Sequence, residues 1–122
     1  MFAILVRAIN GSGNCSTVGF DGDLRQNCPS ELALKENGSV IACKNACGVF
    51  NNEEYCCRGS YENPATCLPS NYSKIFKQVF PAAYSFAHDD AAGLETCSGA
   101  NFVVMFCGSR YVCSSQTNSF KN

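Results

Sequence analysis

The sequence predicts a mainly β domain with a disulfide-rich lobe that carries short helices. Three observations predict it. Ten cysteines in 122 residues, including the run Cys43-Lys44-Asn45-Ala46-Cys47 and the doublet Cys56-Cys57, place the chain at the edge of the disulfide-scaffold class. Apolar runs near both ends, residues 2–9 and 101–107, read as strands. A single segment, residues 70–80, shows clean helical periodicity.

Composition narrows the class further. An even cysteine count fits complete pairing in an oxidising compartment. The spacings oppose the rival, a zinc site: no C-x-x-C knuckle occurs, and the single histidine, His88, lies nine residues from the nearest cysteine. No metal and no cofactor are expected. At this length the chain is one domain at most, and 46% hydrophobic residues are enough for a core. A net charge of −1 with scattered Lys and Arg argues against nucleic acid or an anionic membrane as partner. No apolar run approaches the roughly 18 residues that a membrane span needs. At the amino terminus, Arg7 interrupts the apolar run Met1–Val6 before it reaches the length of a signal-peptide core. The cysteines therefore indicate secretion while the first residues supply no signal, and a missing upstream segment would reconcile the two. Four N-x-S/T sequons, at Asn10, Asn14, Asn37 and Asn71, are compatible with the secretory pathway and mark possible glycosylation.

Along the chain, residues 2–9 form a strand of Ile, Leu and Val without clean alternation, and Asn10–Asn14 form a turn. From Cys15 to Cys67 periodicity is weak and seven cysteines fall among Gly, Asn and Ser, as in a loop-rich region held by crosslinks. Within it, Ala42–Phe50 reads as a short helix with Cys43 and Cys47 on one face, so that two bridges would clamp it from one side. Ser70 is a good N-cap for the next helix, and Tyr72, Ile75, Phe76, Val79 and Phe80 fall at i, i+3, i+4, i+7 and i+8 before Pro81 ends it. Residues 83–87 and 101–107 read as strands, with Phe102, Val104 and Phe106 on one face and Val103, Met105 and Cys107 on the other. Residues 114–122 are polar and read as frayed.

The ordered register Gly13-Asn14-Cys15, Asp23-Leu24, Cys28-Pro29, Ala42–Phe50, Tyr55-Cys56-Cys57, Tyr72–Lys77 and Ala83–Phe86 with Asp89-Asp90 resembles the carboxy-terminal half of the thaumatin-like proteins, the plant pathogenesis-related group five. The likeness covers roughly residues 2–107, and the tail with Cys113 lies outside it. It implies a partial thaumatin-like β-sandwich in one incomplete domain: residues 1–18 as a sandwich strand segment, 19–80 as the disulfide-rich lobe, 81–107 as sandwich strands and 108–122 as a tail. It implies four bridges, Cys15–Cys97, Cys28–Cys43, Cys47–Cys56 and Cys57–Cys67. Where the family carries one further bridged pair, this chain has Phe20 and Phe80. The two rings are expected to fill the vacated space with centroids about 4.5–7 Å apart. Cys107 lacks its family partner, which leaves a Cys107–Cys113 bridge or two free thiols. The sandwich strands would expose edges and an apolar face, so the fragment is expected to be marginal or to dimerise through an edge strand.

The resemblance implies a plant defence role: an extracellular or vacuolar antifungal protein that binds fungal cell-wall β-1,3-glucan without turnover. Members carry an acidic cleft between sandwich and lobe, and the single cleft position carried over is Asp89, which the resemblance implies as a ligand-binding residue at the cleft rim. One carboxylate cannot supply both roles of glycoside hydrolysis, so no catalytic residue is assigned. Asp89 and Asp90, adjacent on an extended segment, would point to opposite faces; the alternative is a solvated acidic turn. Glu53-Glu54 reads as a solvated loop and His88 as a surface histidine. Tyr61 and Tyr111 are aromatics that could stack on sugars. The alternatives are a β-1,3-glucanase in a longer parent protein, or a truncated copy without independent function.

Overall fold

The two apolar runs at the ends of the chain pair with each other. A computed structural model describes residues 3–20, 22–107 and 113–118; for Ala3, Ala92, Gly93, Cys107 and 113–118 it describes the backbone alone. Among the described residues the strands are β1 (Ala3–Ile9), β2 (Ser12–Gly13), β3 (Val18–Phe20), β4 (Ala33–Glu36), β5 (Ser39–Cys43), β6 (Cys97–Ser98), β7 (Asn101–Cys107) and β8 (Cys113–Asn118). The helices are α1 (Ala46–Phe50), α2 (Glu53–Cys56), α3 (Asn71–Val79) and α4 (Asp90–Gly93), with 3-10 turns at Leu24–Gln26 and Gly59–Tyr61.

Four strands form an antiparallel sheet in the order β3-β1-β7-β8. β1 and β7 are in register from Ala3↔Cys107 to Ile9↔Asn101. Because side chains alternate, Phe20, Ile4 and Phe106 make one cross-strand row and Val18, Val6 and Val104 the next on the same face. Gly19 stands opposite Leu5 with φ +128°, and a Cβ there would meet the Ile4 carbonyl. Only glycine admits β3 so close.

The tail departs from the frayed end expected of it. Residues 113–118 pair with β7 from Phe102↔Asn118 to Cys107↔Cys113. Polar side chains do not prevent this, because a strand edge offers unpaired N–H and C=O groups that any backbone can satisfy. β8 thus covers the β7 edge expected to lie open. Cys107 and Cys113 are opposite one another in the backbone register, and their side chains lie outside the described residues, as do residues 119–122.

The lobe holds more strand than its weak periodicity suggests. β4 and β5 form a hairpin whose two-residue loop, Asn37-Gly38, has φ values of 48° and 78°. Asn-Gly is the preferred dipeptide for such a turn, and this is the signal that periodicity missed. The expected helix over 42–50 is shorter. Cys43 ends β5, and α1 starts at Ala46 because the Asn45 side chain caps it, accepting from the Gly48 N–H at 2.7 Å. The bridges at Cys43 and Cys47 therefore leave from a strand and a helix, not from one helical face.

Among the described residues, four disulfides join Cys15 to Cys97, Cys28 to Cys43, Cys47 to Cys56 and Cys57 to Cys67. Between them the lobe buries Leu24 and Leu32, 1% and 0% exposed. Asp23 caps the turn that carries Leu24 and grips Arg25 in a fork of 2.5–3.0 Å, which lowers its pKa to about 2. Sheet and lobe meet where Phe20 packs edge-on against Phe80, with centroids 5.7 Å apart, filling the space as expected. The Gly19 N–H also donates to the Ala82 carbonyl at 3.2 Å.

Candidate functional site

α3 is built from local signals. Ser70 Oγ accepts from the Ser73 N–H at 3.1 Å, and the Ser73 hydroxyl donates to the Ser70 carbonyl at 2.9 Å. The helix ends at the Phe80 cap, ahead of Pro81. Its last-turn lysine organises the segment beyond it. Lys77 Nζ donates to the Ala83 carbonyl at 2.5 Å and pairs with Asp89 Oδ2 at 2.6 Å. The same Asp89 oxygen accepts from the Ser85 N–H at 2.8 Å and the Ser85 hydroxyl at 3.0 Å.

These bonds overturn the strand expected over 83–87, which is instead a series of turns and bends. A lysine that gathers a carbonyl at 83 and a carboxylate at 89 folds the segment back on itself, and no strand ladder can form. Nor are Asp89 and Asp90 on an extended segment: Asp89 has φ −87° and ψ 34°, and Asp90 begins α4.

Asp89 is 8% exposed, so it is not a solvated acid. Burial pushes its pKa up, but the hydrogen bonds from Lys77 and Ser85 and the lysine charge outweigh burial and hold it below the ordinary carboxylate value. A general acid near neutrality needs the opposite shift. Asp90 has a different partner. Its Oδ1 accepts from the Tyr84 hydroxyl at 2.6 Å, and this bond pushes the phenol pKa up. Tyr84 remains 45% exposed, a fixed ring open to solvent.

The folded-back segment forms one wall of a groove of about 340 Å³, lined by Tyr84 and Phe86 together with Tyr72 and Phe76 of α3, Asn45 and Tyr55. Two of its lining rings, Tyr55 and Tyr72, belong to an aromatic cluster. Tyr72 stacks on Phe50 at 5.4 Å and meets the edge of Tyr55 at 5.4 Å. Glu31 fixes the Tyr72 hydroxyl at 2.7 Å, pushing that phenol up to about 12.

The other predicted positions lie apart from this groove. His88 Nε2 is 3.1 Å from the Glu62 carbonyl. Glu53 and Glu54 open α2, with Glu53 accepting from the Ser60 N–H at 3.3 Å. Tyr61 is exposed on a 3-10 turn, and Tyr111 falls outside the described residues. Asn10, Asn14, Asn37 and Asn71 are all exposed. Among the described residues no group of three His, Cys, Asp or Glu is placed to hold a metal ion, and no helix is long and apolar enough to cross a membrane. Lys77, Ser85 and Tyr84 carry no sequence signal of their role. Phe50, Tyr55 and Tyr72 come from three separate helices.

A family model described as the Thaumatin family matches residues 2–108. Pathogenesis-related thaumatin-like protein 3.5 of Cryptomeria japonica is 50% identical over 104 residues, covering 85% of this chain and 43% of the relative. Pathogenesis-related protein 5 of Arabidopsis thaliana is 46% identical over 102 residues, 84% of this chain and 43% of the relative. A Prunus avium protein named glucan endo-1,3-beta-glucosidase is 44% identical over 99 residues, 80% of this chain and 40% of the relative. The chain spans less than half the length of each of these relatives.

Proposed function

The chain belongs to the thaumatin family, and from that premise we propose a pathogenesis-related defence protein, extracellular or vacuolar, that binds fungal cell-wall β-1,3-glucan without hydrolysing it. The observation that carries this reading is the aromatic groove with Tyr84 on its wall. A ring that is nearly half exposed yet hydrogen-bonded in place by Asp90 is a preorganised platform for the C–H face of a pyranose. Asp89 serves the site through Lys77 and Ser85, holding the wall in position from behind. The name of the Prunus avium relative supports glucan as the ligand class. Hydrolysis belongs to the alternative reading, a longer parent protein that supplies a second carboxylate; the lowered pKa of Asp89 argues against an acid role for it here.

The test is retention of the chain on insoluble β-1,3-glucan, with reducing-sugar release measured in the same tubes. Retention without release is expected, and Tyr84→Ala should weaken it about tenfold, the loss of one well-placed aromatic contact. No retention would overturn the reading, and sugar release would favour the glucanase alternative.

A further inference from the structure

Resting on the glucan reading, we propose that the binding surface continues over the Tyr55–Tyr72 ridge into a second, acidic hollow, so that the lobe takes neutral glucan as an extended chain rather than as terminal sugars. The second hollow has a volume of about 570 Å³ and is walled by Pro29, Glu31, Glu54, Asn71 and Ile75. It shares Ser70, Tyr55 and Tyr72 with the first, so the two concavities are one surface divided by an aromatic ridge. Each is of a size that holds a small-molecule ligand.

The ridge is rigid. Tyr72 is braced by Phe50 on its face, by Tyr55 at its edge and by Glu31 at its hydroxyl. Cys56, next to Tyr55, is tied to Cys47 below. An occupant of both hollows must therefore cross the braced ridge. A linear oligosaccharide can do so, since each sugar has an apolar C–H face and a polar rim.

The two hollows divide that chemistry. The first offers aromatic faces. The second offers acceptors: the Glu54 carboxylate makes no hydrogen bond among the described residues, and Glu31 takes the Tyr72 and Ser30 hydroxyls and its own backbone N–H. Carboxylates with spare lone pairs accept from sugar hydroxyls. Neither hollow is lined by a lysine or arginine, so an acidic glycan would meet like charge without compensation. The surface thus selects a neutral polyhydroxyl chain.

Titration calorimetry of the full chain with β-1,3-gluco-oligosaccharides of increasing length, from a disaccharide upward, tests this. Affinity is expected to rise at least tenfold with length and then level off. Glu54→Gln should remove most of that gain while leaving the disaccharide affinity unchanged, and an oligogalacturonide should not bind. Length-independent affinity, or a Glu54→Gln effect equal at every length, would overturn the second hollow while leaving the first intact. Binding of the oligogalacturonide would overturn the charge selection. Absence of binding at every length would instead bring down the glucan reading and the second hollow with it.

Discussion

Residues 24–67 are crossed by three disulfides whose cysteines lie 15, 9 and 10 positions apart, around two fully buried leucines. The sheet is held differently. It joins Ala3–Ile9 to Asn101–Cys107 by a backbone ladder, and one bridge, Cys15–Cys97, ties its neighbourhood across 82 positions. The contrast shows two answers to one problem, the chain entropy that folding must overcome. The lobe limits that entropy locally, by short covalent loops, and needs little core. The sheet must bring distant segments together and relies on one long-range tie. The proposed binding surface combines the lobe's aromatic ridge, next to the Cys47–Cys56 bridge, with the wall at residues 84–87.

Removing the long tie should separate the regions most sharply. In the chain-entropy account, Cys15→Ala with Cys97→Ala costs about 4.5 kcal/mol, against about 2.6 kcal/mol for Cys47→Ala with Cys56→Ala. Urea unfolding of the two double variants measures this. Equal losses would break the comparison, because the sheet would then not depend on its long-range bridge.

A smaller effect is expected where the lobe meets the groove wall. Asp89→Asn should cost about 2 kcal/mol, the worth of charged hydrogen bonds donated to a buried carboxylate. The pH dependence comes from the lowered pKa of Asp89. In the unfolded chain the carboxyl takes up its proton first as pH falls, so the native contact loses its advantage below the ordinary carboxylate value and has lost it once pH passes the lowered one. The wild-type chain should therefore lose more stability than Asp89→Asn between pH 5 and pH 2. Asp23, with a pKa of about 2, remains in both and cancels from the difference. Parallel acid titrations would sink a stabilising role for the Lys77–Asp89 contact.

The smallest effect lies at the seam. Phe20→Leu and Phe80→Leu, combined in a double-mutant cycle, should show a coupling of about 1 kcal/mol, as for an edge-to-face pair beyond its area burial. A coupling near zero would mean that sheet and lobe touch without supporting each other.

Much of the framework is legible in the sequence where its causes are local. α3 is readable because Ser70, the apolar spacing and Pro81 all lie within a dozen residues. The terminal strands are readable from their apolar runs. The β4–β5 hairpin is legible only through Asn37-Gly38, a turn signal that composition conceals. β8 is invisible to pattern reading, since its residues are polar and its reason is the open edge of β7. At the candidate site, Asp89 stands out through family resemblance alone, and the groove whose wall it braces does not stand out at all.

By itself, then, the sequence determined a crosslinked, mainly β chain with one capped amphipathic helix and its thaumatin-family cysteine order, because caps, periods and spacings act over a few residues. Only the tertiary structure decided that Lys77 would fold 81–89 into a wall, that Tyr84 would stand exposed on it, and that Phe50, Tyr55 and Tyr72 would meet in one ridge. Those outcomes depend on partners supplied by separate elements, and a side chain's choice among distant donors, acceptors and ring faces is made only when packing brings them within reach.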